Sequence, residues 1–178
     1  MKFKEIIFSL ILFPLICIHP QEVNAGFRIE SLSFTTFSDD SPSLVLFPSI
    51  YGKLGINLFE NYNLNIRGGF AYGPNYFIGG EIGLYLQYNI YKDKLYAITG
   101  INLHSNAGGP QSIETEVYEQ LYKLYGLGLG CRINRIFILE LIYYKVSPEE
   151  LIYNPSSNST KEEIISTIKL GFGFEWNL

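Results

Sequence analysis

The feature that most constrains this chain is its final fifteen residues. Ile164, Ser166, Ile168, Leu170, Phe172, Phe174, Trp176 and Leu178 take alternate positions, and Ile165, Thr167, Lys169, Gly171, Gly173, Glu175 and Asn177 take the others. Side chains on a strand alternate between its two faces. The segment therefore reads as an extended ribbon with one broad apolar face and one face of small or charged residues. Such a ribbon needs a neighbour on each edge and two different media on its faces.

The same period recurs upstream and gives seven more strands, with no convincing amphipathic helix. They run from about 27 to 37, 46 to 59, 64 to 72, 77 to 90, 95 to 104, 121 to 133 and 136 to 146. The alternation slips near Ser31-Leu32, where a bulge is expected. Tight turns are expected at Glu60–Asn63, Lys92–Lys94 and Asn134-Arg135, and longer polar links at Ser38–Ser43, Gly73–Tyr76, Ser105–Gln120 and Ser147–Glu163. Short turns on one rim and long loops on the other describe an up-and-down antiparallel barrel with both termini on the short-turn rim.

The N-terminus carries a different message. Lys2 and Lys4 precede an apolar run from Ile6 to Ile18, and Val23-Asn24-Ala25 offers a small residue for cleavage. This is the layout of a secretory signal over residues 1–25, leaving a single domain at 26–178. Cys17 raises lipidation, but Pro14-Leu15-Ile16 lacks the small residue expected beside a lipidated cysteine. Cys131 is the one thiol left after cleavage and reads as a packing residue. A net charge of −4 gives no reason to expect a nucleic-acid partner.

A soluble barrel also alternates, so its polar face decides the medium. In water that face carries many Lys and Glu; here it is mostly Gly, Ser, Thr and Asn, as the crowded lumen of a narrow barrel requires. The apolar face is continuous around nearly every strand, as lipid contact demands. Aromatics near the rims extend the pattern: Phe59, Tyr62, Tyr88, Tyr91, Tyr96, Phe137, Phe174 and Trp176 at the short turns, and Tyr72, Tyr76, Phe77, Tyr122 and Tyr143 at the other end. Tyr51, Tyr85 and Tyr144 are expected to point inward. The fold class is thus all-β, an eight-stranded antiparallel up-and-down transmembrane β-barrel.

The chain resembles the small eight-stranded outer-membrane barrels of the OmpX/Ail type and of the OmpA transmembrane domain. The ending Leu170-Gly171-Phe172-Gly173-Phe174-Glu175-Trp176 is similar to the C-terminal assembly signal of that family, with Asn177-Leu178 following where the family stops at an aromatic residue. The resemblance assigns Phe172, Phe174, Trp176 and Leu178 to that signal. It implies an integral outer-membrane protein with periplasmic termini. Its partners would be the barrel-assembly machinery, outer-membrane lipid and lipopolysaccharide; no surface partner can be read.

Seven charges fall on the inward face: Lys53, Arg67, Arg132 and Lys169 against Glu81, Glu140 and Glu175. Counting from the short-turn rim sets Arg132 with Glu175 lowest, Arg67 with Glu140 in the middle, and Lys53, Glu81 and Lys169 highest. Arg28 and Glu30 are expected to join the lowest tier. Buried charges persist only when paired, so tiers of mixed sign suit a plugged lumen. A ring of charges lining a narrow channel for small solutes is the alternative.

Catalytic chemistry has one candidate. Leu103-His104-Ser105-Asn106 with Glu116 faintly resembles the His-x-Ser-Asn element of outer-membrane lipid A deacylases. Here His104 and Ser105 are adjacent, and neighbours on a strand point to opposite faces. No metal-ligand cluster or phosphate-binding loop is present, and no cofactor is expected. The longer loops are acidic, with Asp39, Asp40, Glu114, Glu116, Glu119, Glu149, Glu150, Glu162 and Glu163. They suit a solvated rim, or cation bridging to lipopolysaccharide and docking of a basic partner. The expected role is structural or interactive at the cell surface, in envelope integrity, adhesion or defence.

Overall fold

Eight long strands close on themselves. The computed structural model describes residues 22–37, 42–45, 48–72, 78–92, 94–106, 121–147, 152–153, 161–162 and 164–178. The wall consists of β1 (Val23–Phe37), β3 (Ser49–Phe59), β4 (Tyr62–Tyr72), β5 (Ile78–Tyr91), β6 (Leu95–Asn106), β7 (Leu121–Arg132), β8 (Phe137–Ser147) and β11 (Ile164–Asn177). Each is antiparallel to the next, and β11 pairs with β1 to close the ring. Closure leaves no open edge, the condition for placing strand amides in hydrocarbon.

Three short strands decorate the long-loop end. β2 (Pro42–Val45) extends the ladder of β1, and β9 (Ile152–Tyr153) pairs with β10 (Lys161–Glu162). All three fall within or beside links that carry no clear alternation, so periodicity could not announce them.

The short turns have local causes. Asn134 Oδ1 accepts hydrogen bonds from the backbone N–H groups of Ile136 and Phe137, each at 2.8 Å, which fixes the link from β7 to β8. Lys92 takes a φ of 39° in the link from β5 to β6. A register shift between Glu30 and Leu32 marks a bulge where the sequence alternation slips.

The first strand starts earlier than expected. Val23, Asn24 and Ala25 pair with Ile56, Gly55 and Leu54 of β3, and Asn24 and Ala25 also pair with Asn177 and Trp176 of β11. The three residues before the expected cleavage point therefore belong to the wall. Residues 1–21 of the expected signal lie outside the described residues.

Outward positions form the apolar wall: Leu54, Ile66, Ile82, Leu84, Leu127, Leu129 and Leu141 are all more than half exposed. Phe137 packs with Phe172 and Phe174 at centroid distances of 5.7 and 4.9 Å, and Tyr62 lies 5.0 Å from Tyr88, giving an aromatic belt near the short turns. Tyr96 and Tyr122 depart from their expected place in the belts. Both are buried inside, because β6 and β7 turn Leu95 and Leu121 outward and their neighbours inward.

Candidate functional site

The interior of the barrel is where ionisable chemistry concentrates, and Glu140 of β8 is its hub. Arg67 stands on β4, four strands away around a ring of eight, so its reach to Glu140 crosses the full bore. Its Nη2 lies 3.1 Å from Glu140 Oε2 and 3.2 Å from Oε1. Arg28 Nη1 of β1 lies 2.5 Å from the same carboxylate. Gln87 donates to it at 3.2 Å, and the Tyr96 hydroxyl donates as well. Arg67 also stacks over the Tyr85 ring, 4.2 Å from its centroid.

A second crossing lies nearer the long loops. Lys169 of β11 sits 3.8 Å from Glu81 of β5, again across the diameter, and 3.5 Å from Glu30 of the adjacent strand. Glu81 receives the Tyr51 hydroxyl and lies 3.0 Å from His104 Nδ1. Lys169 Nζ also donates to Ser49 Oγ at 3.3 Å.

The lowest group is at the short-turn mouth. Lys53 Nζ lies 2.5 Å from Glu175 Oε2, and Arg132 lies 3.9 Å from Oε1 of the same carboxylate. Arg132 also donates to Asn89 at 3.0 Å and lies 4.7 Å from the centre of the Tyr96 ring. A file of asparagines descends from the middle group, Arg67 donating to Asn65, Asn65 to Asn63, and Asn63 to Asn57.

Two placements differ from the residue count. Lys53, expected beside Glu81 and Lys169, lies with Glu175, because Gly26 pairs with both Lys53 and Glu175 across the ladders. Strands in a barrel are tilted and staggered, so equal counts from separate turns do not give equal heights. Arg28 and Glu30, expected at the mouth, instead join the middle and upper groups through Glu140 and Lys169.

The lumen is also less polar than expected. Ile98, Leu124, Ile142 and Val146 are buried inside with Tyr85, Tyr122 and Tyr144, so one side of the bore is filled by apolar packing. Two glycines make room for large groups. Tyr96 lies over Gly130, its register partner, and Arg28 lies over Gly171; a Cβ on either glycine would stand within 2.5 Å of the covering side chain. Below the mouth group opens a cavity of about 880 Å³, lined among others by Glu22, Asn24, Asn57, Arg132, Glu175 and Asn177.

Of the candidate catalytic residues, His104 and Ser105 are not brought together. His104 is buried in the lumen and Ser105 is exposed on the outside of the wall, while Glu116 lies outside the described residues. Among the described residues no group of three His, Cys, Asp or Glu is placed to hold a metal. The acidic loop positions also lie outside the described residues, apart from the backbone of Glu162 in β10.

No family model matches the chain, and no curated protein does. Solved structures do. The crystal structure of Neisserial surface protein A (NspA) matches at a TM-score of 0.50 and 12% identity, covering 89% of this chain and 97% of that one. The outer-membrane protein OprG of Pseudomonas aeruginosa matches at 0.45 and 9%, covering 89% and 96%. Ail of Yersinia pestis, solved with the heparin analogue sucrose octasulfate, matches at 0.41 and 14%, covering 88% and 97%. What the chain shares with NspA is its fold, which in this chain is a closed, eight-stranded antiparallel barrel.

Proposed function

We propose that this protein is exported, assembled into an outer membrane with both termini periplasmic, and works there as a closed barrel. Its lumen is a strut, not a passage. Its role is then structural or interactive at the cell surface, in envelope integrity, adhesion or defence, carried by the long-loop rim. One observation carries this reading: two ion pairs span the bore at different levels, Arg67–Glu140 and Lys169–Glu81. The apolar and tyrosine packing around them supports it. Inward cations Arg28, Lys53, Arg67, Arg132 and Lys169 are nearly matched by Glu30, Glu81, Glu140 and Glu175, so the interior needs few counter-ions. An eight-stranded barrel is just wide enough to be filled by side chains.

The rival is a narrow channel, favoured by the cavity at the short-turn mouth. Reconstitution into planar bilayers separates the two. The closed reading expects no stepwise conductance from the folded, heat-modifiable protein; reproducible single-channel steps would overturn it.

A further inference from the structure

The outer wall carries charge at one place. Among the described wall residues, the only charged side chains facing outward are Lys123 of β7 and Lys145 of β8. They stand on adjacent strands near the long-loop end. Tyr125 pairs with Lys145, and Lys123 pairs with Ser147, so the lysines sit on a diagonal about 7–8 Å apart. Among the described residues neither has a carboxylate partner. A charge facing lipid is costly except near the headgroups, where a long side chain reaches polar surroundings.

Towards the membrane centre from this pair lies a groove of about 510 Å³. It forms because Thr99 of β6, a short side chain, lies in register between Leu86 of β5 and Leu127 of β7. Thr99 donates its hydroxyl to the Gly126 carbonyl at 3.1 Å, and both residues line the groove. Tyr125 and Tyr143 line the groove at the side of the lysines.

We infer that Lys123, Lys145 and this groove form one site for a phosphorylated, multiply acylated glycolipid of the outer leaflet, that is, lipid A. The two ammonium groups take a phosphate, Tyr125 and Tyr143 meet the sugar–acyl boundary, and the groove over Thr99 receives one acyl chain. The choice of an outer-leaflet lipid rests on the orientation proposed above, with the long loops at the cell surface. The diagonal lysines favour a doubly charged phosphate monoester over the single charge of a phosphodiester lipid.

Native mass spectrometry of the detergent-purified barrel tests the site independently of orientation. The probes are bisphosphorylated lipid A, the same lipid dephosphorylated, and phosphatidylglycerol. Lipid A is expected to bind tightest, and Lys123→Gln with Lys145→Gln to weaken it about thirty-fold, to the level of the dephosphorylated form. Thr99→Leu, which fills the groove, should weaken both forms of lipid A alike. The site is overturned if the double variant binds lipid A as tightly as the parent. The assignment to lipid A is overturned if phosphatidylglycerol binds equally well. Surface labelling of a cysteine placed at position 121 tests the orientation alone: labelling on intact cells supports it, and labelling only after lysis refutes it without touching the binding result.

Discussion

Lys53 and Arg67 face one another across the β3–β4 ladder, two cations at a single register position on the inner wall. Like charges in that relation repel. They diverge instead, Lys53 to Glu175 at 2.5 Å and Arg67 across the bore to Glu140 at 3.1 Å. The ladder thus sends its two charges to carboxylates on two different strands, and ties the mouth group to the middle one.

Glu140→Ala is the most damaging lumen change expected. It leaves Arg28 and Arg67 buried without their shared carboxylate, and losing one partner of a buried pair costs about 3–5 kcal/mol. Glu60→Ala in an exposed turn should stay within about 0.5 kcal/mol of the parent. Urea midpoints of the gel-shifted, folded band measure both. Equal midpoints for the two variants would mean a wide, hydrated bore.

Leu84→Arg and Leu127→Arg each place a cation on the apolar outer wall. Each should cost about 2–4 kcal/mol if its position is near the bilayer midplane. Folding into vesicles followed by the same gel shift reads the loss. Unchanged midpoints in both would reverse the assignment of faces.

Glycine substitutions should divide by what lies over the glycine. A Cβ at Gly130 would meet the Tyr96 ring, and moving that ring withdraws a donor from Glu140, so Gly130→Val should cost about 1–3 kcal/mol or more. Gly68 faces outward with nothing within 4 Å of an added Cβ. Gly68→Val should be neutral or stabilising in urea titrations.

Removing Phe174 to Leu178 should abolish assembly although it leaves every long loop and the Arg67–Glu140 and Lys169–Glu81 crossings in place. It deletes the pairs Phe27–Phe174, Gly26–Glu175, Ala25–Trp176 and Asn24–Asn177, and reopens the wall. Ser105→Ala, on the outer wall, should assemble normally. Cell fractionation with protease protection distinguishes them; a protease-resistant, heat-modifiable band from the truncated chain would disprove closure by β11.

The sequence made the eight strands and their faces legible because a period of two is local: each residue declares its side against its immediate neighbours. The bulge at Glu30–Leu32 was legible for the same reason. Heights within the bore were not. Lys53 meets Glu175 only through the stagger summed around the ring, and that shear belongs to all strands together. Nearness to a rim says nothing about face, and Tyr96 and Tyr122, close to opposite rims, both point inward. The start of β1 was hidden because Val23-Asn24-Ala25 reads equally as a cleavage motif and as an extended strand.

The wall strand that closes the ring, β11, also brings Lys169 and Glu175, while its partner β1 brings Arg28 and Glu30. Zipping the seam and discharging the interior are therefore a single event. A chain that lacks only β11 still presents Lys53 without Glu175, and Glu81 and Glu30 without Lys169, to its own concave side, and such a sheet keeps water there. Commitment to the bilayer is in this way coupled to completeness: the barrel becomes dry enough to stay only when its two ends have met.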